Sequence, residues 1–193
     1  MHNKYGFGLV ELMSVVAIIA IFIAVAVPNF STSAERSKIK SAKRSLLSEL
    51  AFARSEAVKR QQTVSICASS SGQHCDTANW ARGRLVFVDD GAGNNANAAN
   101  GAFDNETVVK SYGSIEEGLI VTASDFESVG VIVFSKDGSI AQAGSLTICS
   151  ERDDIKPDAV NVNIIGRPQG AYDSDSDEAG LVNNVTGGNV SCS

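Results

Sequence analysis

Gly6-Phe7-Gly8-Leu9-Val10-Glu11-Leu12 opens an apolar run that lasts to Val27 and is followed by Pro28. Only Gly8, Glu11 and Ser14 interrupt it. Phe7 to Val27 is 21 residues, about 31 Å of α-helix, enough to cross the hydrocarbon of a bilayer. The six residues before it carry positive charge on Lys4 and the α-amine, and the run carries none. That asymmetry keeps the first residues on the cytoplasmic side. After Val27 the chain reads Pro28-Asn29-Phe30-Ser31, without the small-residue cleavage site that ends an ordinary secretory signal. The processing point therefore falls ahead of the run, between Gly6 and Phe7, and the apolar helix stays on the mature chain.

Glu11 is the one acid in this segment. A lone carboxylate in a bilayer helix costs about 2.5 to 3.5 kcal/mol on insertion scales. Lying near the interface lowers that cost. Pairing with a positive group of a neighbour offsets it, and the new α-amine at Phe7 of an adjacent subunit is the candidate.

Beyond Pro28 the helix resumes. Ile39, Ala42, Leu46, Leu50, Ala53 and Ala57 recur at spacings of three and four, an apolar stripe facing a globular domain. Lys38, Lys40, Lys43, Arg44, Glu49 and Arg54 form the polar complement, expected to be a solvated face or a surface meeting lipid headgroups or neighbours. Pro28 removes a backbone donor, so a kink is expected there.

From Val64 the period changes to two. Candidate strands are Thr63 to Cys67, Arg84 to Val88, Thr107 to Tyr112, Leu119 to Thr122, Val131 to Phe134, Leu146 to Cys149 and Val160 to Ile165. Ser135 to Ser139 holds an Asp-Gly turn. Gly91 to Asn105 and Gly170 to Gly188 read as polar loops. One long helix followed by short strands implies an α+β fold: a helix with a membrane half and an amphipathic half, packed on an antiparallel β-sheet domain. The expected divisions are a leader at 1–6, a transmembrane and assembly helix at 7–28, the amphipathic half at 29–62 and a β-rich head at 63–193.

Four cysteines, Cys67, Cys75, Cys149 and Cys192, lack C-x-x-C spacing. An even count in an exported domain reads as two disulfides. Cys67 with Cys75 closes a short loop at a strand end, and Cys149 with Cys192 pins an acidic tail. Four cysteines allow three connectivities, so crossed pairs remain open.

The N-terminal residues closely resemble the type IV pilin motif. That resemblance implies that a prepilin peptidase cuts after Gly6 and that Phe7 is N-methylated. Glu11 then takes the fifth mature position, where the family keeps its glutamate, and Pro28 takes the position of the family's helix kink. Gly8 departs from the usual Thr. Ala53-Arg54-Ser55-Glu56-Ala57-Val58 before Val64-Ser65-Ile66-Cys67 resembles the GspH/FimT class of minor pilins and pseudopilins. So do Trp80-Ala81-Arg82-Gly83 before Val86-Phe87-Val88-Asp89, and Gly166-Arg167 after a late strand. Val27-Pro28-Asn29-Phe30 is more similar to the pilus members, FimU and FimT, than to the secretion pseudopilin. For Trp80 and Phe87 plain core packing suffices.

What this implies is assembly without catalysis or cofactor: a minor pilin of the tip or priming complex of a type IV pilus. Its expected partners are other minor pilins and the major pilin through the N-terminal helix, the inner membrane and the prepilin peptidase. The head is expected in the periplasm and then in the extracellular pilus. A GspH-like pseudopilin of type II secretion is one alternative, and a DNA-binding FimT-like pilin another. DNA binders of the class carry Gly-Arg-x-Arg; here Gly166-Arg167-Pro168-Gln169 keeps Arg167 alone. An acidic stretch follows and the net charge is -6, both adverse to phosphate, so DNA is not favoured.

Enzyme chemistry has little to stand on. His2 lies in the leader, leaving His74 beside Cys75 in a Gly/Ser-rich loop. Asp173, Asp175 and Asp177 alternate as in a calcium loop, but Glu178 replaces the turn glycine and Asn184 the bidentate glutamate. Asp89, Asp104 and Glu106 form a second acidic group, read as a solvated loop. No metal is expected at either.

Overall fold

A computed structural model describes residues 8–76, 79–90, 101–103, 106–128, 130–174 and 181–192, without the side chains of 24–29. Gly6, Phe7, Asp104 and Asp175 to Glu178 lie outside these residues, as does the Pro28 side chain. The chain divides into two compact units, 1–37 and 38–193.

In the first unit the described residues form the start of helix α1, which spans Leu9–Arg60. Among the described residues no helix is long and apolar enough to cross a membrane. Described side chains of the apolar run stop at Ile23, short of the roughly 20 residues a span needs.

The second unit holds the rest of α1 and two antiparallel sheets, where the sequence suggested one sheet domain. The strands are β1 (Val64–Ala68), β2 (Arg84–Val88), β3 (Val108–Tyr112), β4 (Leu119–Ser124), β5 (Val131–Phe134), β6 (Gly144–Ser150), β7 (Asp158–Val162) and β8 (Pro168–Gly170). The first sheet has the order β3-β2-β1-β5 and the second β4-β6-β7-β8. A 3₁₀ turn, Trp80–Arg82, leads into β2.

The stripe on α1 is the middle of the core. Ile39, Ala42, Leu46, Leu50, Ala53 and Ala57 are all buried and share one cluster with Ile66, Val86, Phe134, Leu146 and Val160. Burying each large side chain contributes about 1.5 to 3 kcal/mol, and the three alanines let the helix approach closely. The helix ends in a left-handed residue, Gln61 (φ 56°), with Gln62 N–H donating to Ala57 O at 3.3 Å. That six-to-one bond closes the last turn.

β1 and β2 are buried at every position, so they do not alternate. Their other face carries a second cluster: Cys67, Leu85 and Phe87, covered by Phe103 and Cys75. A third cluster, Ala159, Ala171 and Val190, lies under the C-terminal tail.

The seventh strand stops at Val162 and not at Ile165. Gly166 N–H donates to Asn163 O at 2.7 Å, which turns the chain and leaves Ile164 and Ile165 exposed. Gly166 has φ 72°, and a Cβ there would stand 1.8 Å from Gly138 O. Only glycine fits. β8 returns from this turn to pair with β7.

Candidate assembly site

The N-terminal helix begins at Gly8, whose carbonyl accepts from the N–H groups of Glu11 and Leu12, both at 3.1 Å. Glu11 is in the first turn, where the partial positive charge of the helix start favours a carboxylate. Its residue is exposed, and its backbone carbonyl accepts from Ser14 Oγ at 2.8 Å. Around it, Leu9, Val10, Leu12, Met13, Ile18, Ile21 and Phe22 are exposed by half or more. An apolar surface of this extent marks a site that another apolar body covers. Gly6 and Phe7, the expected cleavage and methylation positions, precede the described residues.

In the head, the expected polar face of α1 is only partly that. Lys40 and Arg44 are exposed. Lys43 Nζ is bound to both oxygens of Asp158 at 2.8 Å. Arg54 Nε donates to Gly138 O at 3.1 Å and to Ile165 O at 3.3 Å. Glu49 corrects the sequence reading outright, being buried beneath the helix. Arg84 Nε donates to its Oε2 at 2.7 Å and Arg84 Nη2 to its Oε1 at 2.6 Å, with the two side chains 2% and 3% exposed. Ser45 Oγ donates to the same carboxylate, Arg84 Nη1 donates to Trp80 O, and the guanidinium lies 5.9 Å from the Tyr112 ring centre. This bidentate geometry satisfies charges that burial would otherwise make costly. Burial, and then the charge of Glu49, push the Tyr112 phenol up.

The cysteines are joined as Cys67–Cys75 and Cys149–Cys192. Arg167 is exposed on the turn after β7, its N–H held by Asn163 Oδ1 at 2.9 Å. His74 is exposed, with Ser71 Oγ 3.1 Å from its Nδ1. Asp89 Oδ2 accepts from Ser65 Oγ and from Gly101 N–H. Among the described residues no group of His, Cys, Asp and Glu is placed to hold a metal ion. Hydrogen bonding by Arg60 holds Glu56 below its usual range, against the opposing effect of burial. The Ser139 hydroxyl and N–H do the same for Asp137.

The family model of the type II transport protein GspH matches residues 42–170, and that of the prokaryotic N-terminal methylation motif matches residues 1–27. Among solved structures, the type IV minor pilin FimU of Pseudomonas aeruginosa is similar over 70% of this chain and 90% of its own, at 21% identity and a TM-score of 0.54. The minor pseudopilin EpsH of the Vibrio cholerae type 2 secretion system aligns over 69% and 95%, at 14% identity and a TM-score of 0.46. At its identity the FimU match speaks for the fold alone. No curated protein matches the chain.

Proposed function

The chain belongs to the GspH family, minor pilins and pseudopilins of type IV pili and type II secretion, and on that footing we propose that it is a structural subunit of the tip or priming complex of a type IV pilus. The observation that carries this is the union, in one chain, of the methylation motif over 1–27 and the GspH region over 42–170. The first supplies an assembly helix and the second the head of a family of structural subunits.

In this reading a prepilin peptidase removes residues 1–6, and Phe7 is methylated. Residues 7–28 anchor the precursor in the inner membrane, with a kink at Pro28, until the subunit joins a filament. The head faces the periplasm and then the outside. Glu11 pairs with the α-amine of an adjacent subunit, which supplies the charge partner that an apolar surrounding demands. Neighbouring minor pilins and the major pilin cover the apolar side chains. Val27-Pro28-Asn29-Phe30 supports a pilus over a secretion pseudopilus.

Intact mass of protein taken from membranes tests the first step. It should show loss of six residues and gain of one methyl group. A species that begins at Met1, or one cut after Val27, removes the reading. Immunoblotting of sheared filaments tests the second, and the chain should be there.

A further inference from the structure

One end of the second sheet carries a cluster of exposed carboxylates. At this end the loops before β4 and after β6 meet, with Glu151 N–H donating to Gly118 O at 3.0 Å. Glu116, Glu117, Glu151, Asp153 and Asp154 are all exposed there, and Arg152 and Lys156 offset some of their charge. This end lies level with Lys43 on the helix, which holds Asp158 at the start of β7.

The opposite end lies level with Arg54, eleven residues further along the helix, about 16 Å at 1.5 Å per residue. Here the helix and the turn after β7 enclose a groove of about 570 Å³. Leu47, Ala51 and Val58 give it an apolar lining, Arg54, Lys59 and Arg167 a cationic one, and no carboxylate lines it. Arg54 is held in place by its two carbonyl acceptors through Nε, which leaves its terminal nitrogens as donors. Lys59 makes only a long 3.4 Å contact to Glu56 and is 76% exposed. On the adjoining turn Ile164 and Ile165 are 63% and 58% exposed.

We propose that this groove takes an acidic loop, bearing at least one apolar side chain, from the head of an adjacent filament subunit. The proposal rests on the filament reading above. Preset cations around an apolar floor are complementary to such a loop. Asp125 and Glu127 after β4, and Asp137 on the turn that accepts from Arg54, stand at the same end of the sheet but outside the lining, so the complementarity is that of the groove itself. A nucleic acid strand suits the groove less well. Its backbone would make little use of the exposed isoleucines, and one that runs on along the head would meet the acidic end.

The experiment places a photo-crosslinking side chain at Ser55, which lines the groove, in the full-length chain in piliated cells. Irradiation should give one main adduct, and its cross-linked peptide should carry two or more carboxylates and belong to another pilin-like subunit. Reversing charge with Lys59→Glu and Arg167→Glu should cut adduct yield at least tenfold, and Arg167→Lys should retain it. An adduct insensitive to charge reversal, an acid-free peptide, or an adduct with DNA overturns the proposal. Chain present in sheared filaments with no adduct overturns the groove alone, and chain absent from filaments overturns the filament reading and the groove together.

Discussion

One helix runs through two chemical worlds. From Leu9 to Ile23 its apolar side chains point outward in every direction and are exposed. From Ile39 to Ala57 a narrow stripe is buried, and charged residues flank it. Both stretches are helical, so helix formation does not distinguish them. What differs is where the partner is encoded. The second stretch meets its partner within the same chain, whereas the first carries an all-round apolar surface that only another body can cover.

The comparison is broken most decisively at Glu11. Glu11→Ala lowers the cost of insertion, so membrane level and processing should stay near wild type. Recovery in sheared filaments should fall at least tenfold, read by immunoblot against the membrane fraction. Wild-type recovery would show that the first stretch docks by apolar contact alone.

The second stretch is tested at Glu49. Glu49→Ala leaves the Arg84 guanidinium buried without its carboxylate, and chemical denaturation of the chain in detergent should show a loss of about 3 to 5 kcal/mol. Replacing both residues, Glu49→Leu with Arg84→Met, should recover most of that. If the double variant is as unstable as the single, packing and not charge is the cause.

Disulfides come next. On the chain-entropy model a 43-residue separation contributes about 4 kcal/mol and an 8-residue one about 2.5. Removing Cys149–Cys192 by paired serine substitution should therefore cost more than removing Cys67–Cys75. The same denaturation measurement decides the order.

The smallest effect is on pH. Glu56 is held below its ordinary value of 4.5, chiefly by Arg60. A carboxylate depressed in the folded state adds stability that is complete above its unfolded value and is lost as pH falls through the folded one. Glu56→Gln should thus cost little stability near pH 3 and more at pH 6. An equal cost at both would show that the side chain acts by packing.

The sequence made the helix, the strand-rich head and the family legible, because each rests on local pattern. The buried stripe was readable from Ile39 to Ala57 for the same reason. Glu49 was not: on a helix, a charge beside the stripe reads as solvated, and the residue that claims it is Arg84, 35 positions away. Nor was β8 legible. Pro168-Gln169-Gly170 has neither the length nor the composition of a strand, and it forms because the Gly166 turn delivers it to the open edge of β7. The doubly covered β1 and β2 hid the division into two sheets, since strands buried on both faces lose the alternation that would show which side is which.

The Glu49–Arg84 pair has a mechanical consequence. In the filament role proposed above, tension would load the subunit along its long helix, and a stripe of Leu and Ala against a sheet resists sliding only weakly, because a small displacement trades one apolar contact for another. The pair changes that. Moving the helix by a single residue, about 1.5 Å and 100°, would break both hydrogen bonds, of 2.6 and 2.7 Å, and strand both charges in the core. The bridge therefore acts as a detent, holding the helix in one axial register under pull.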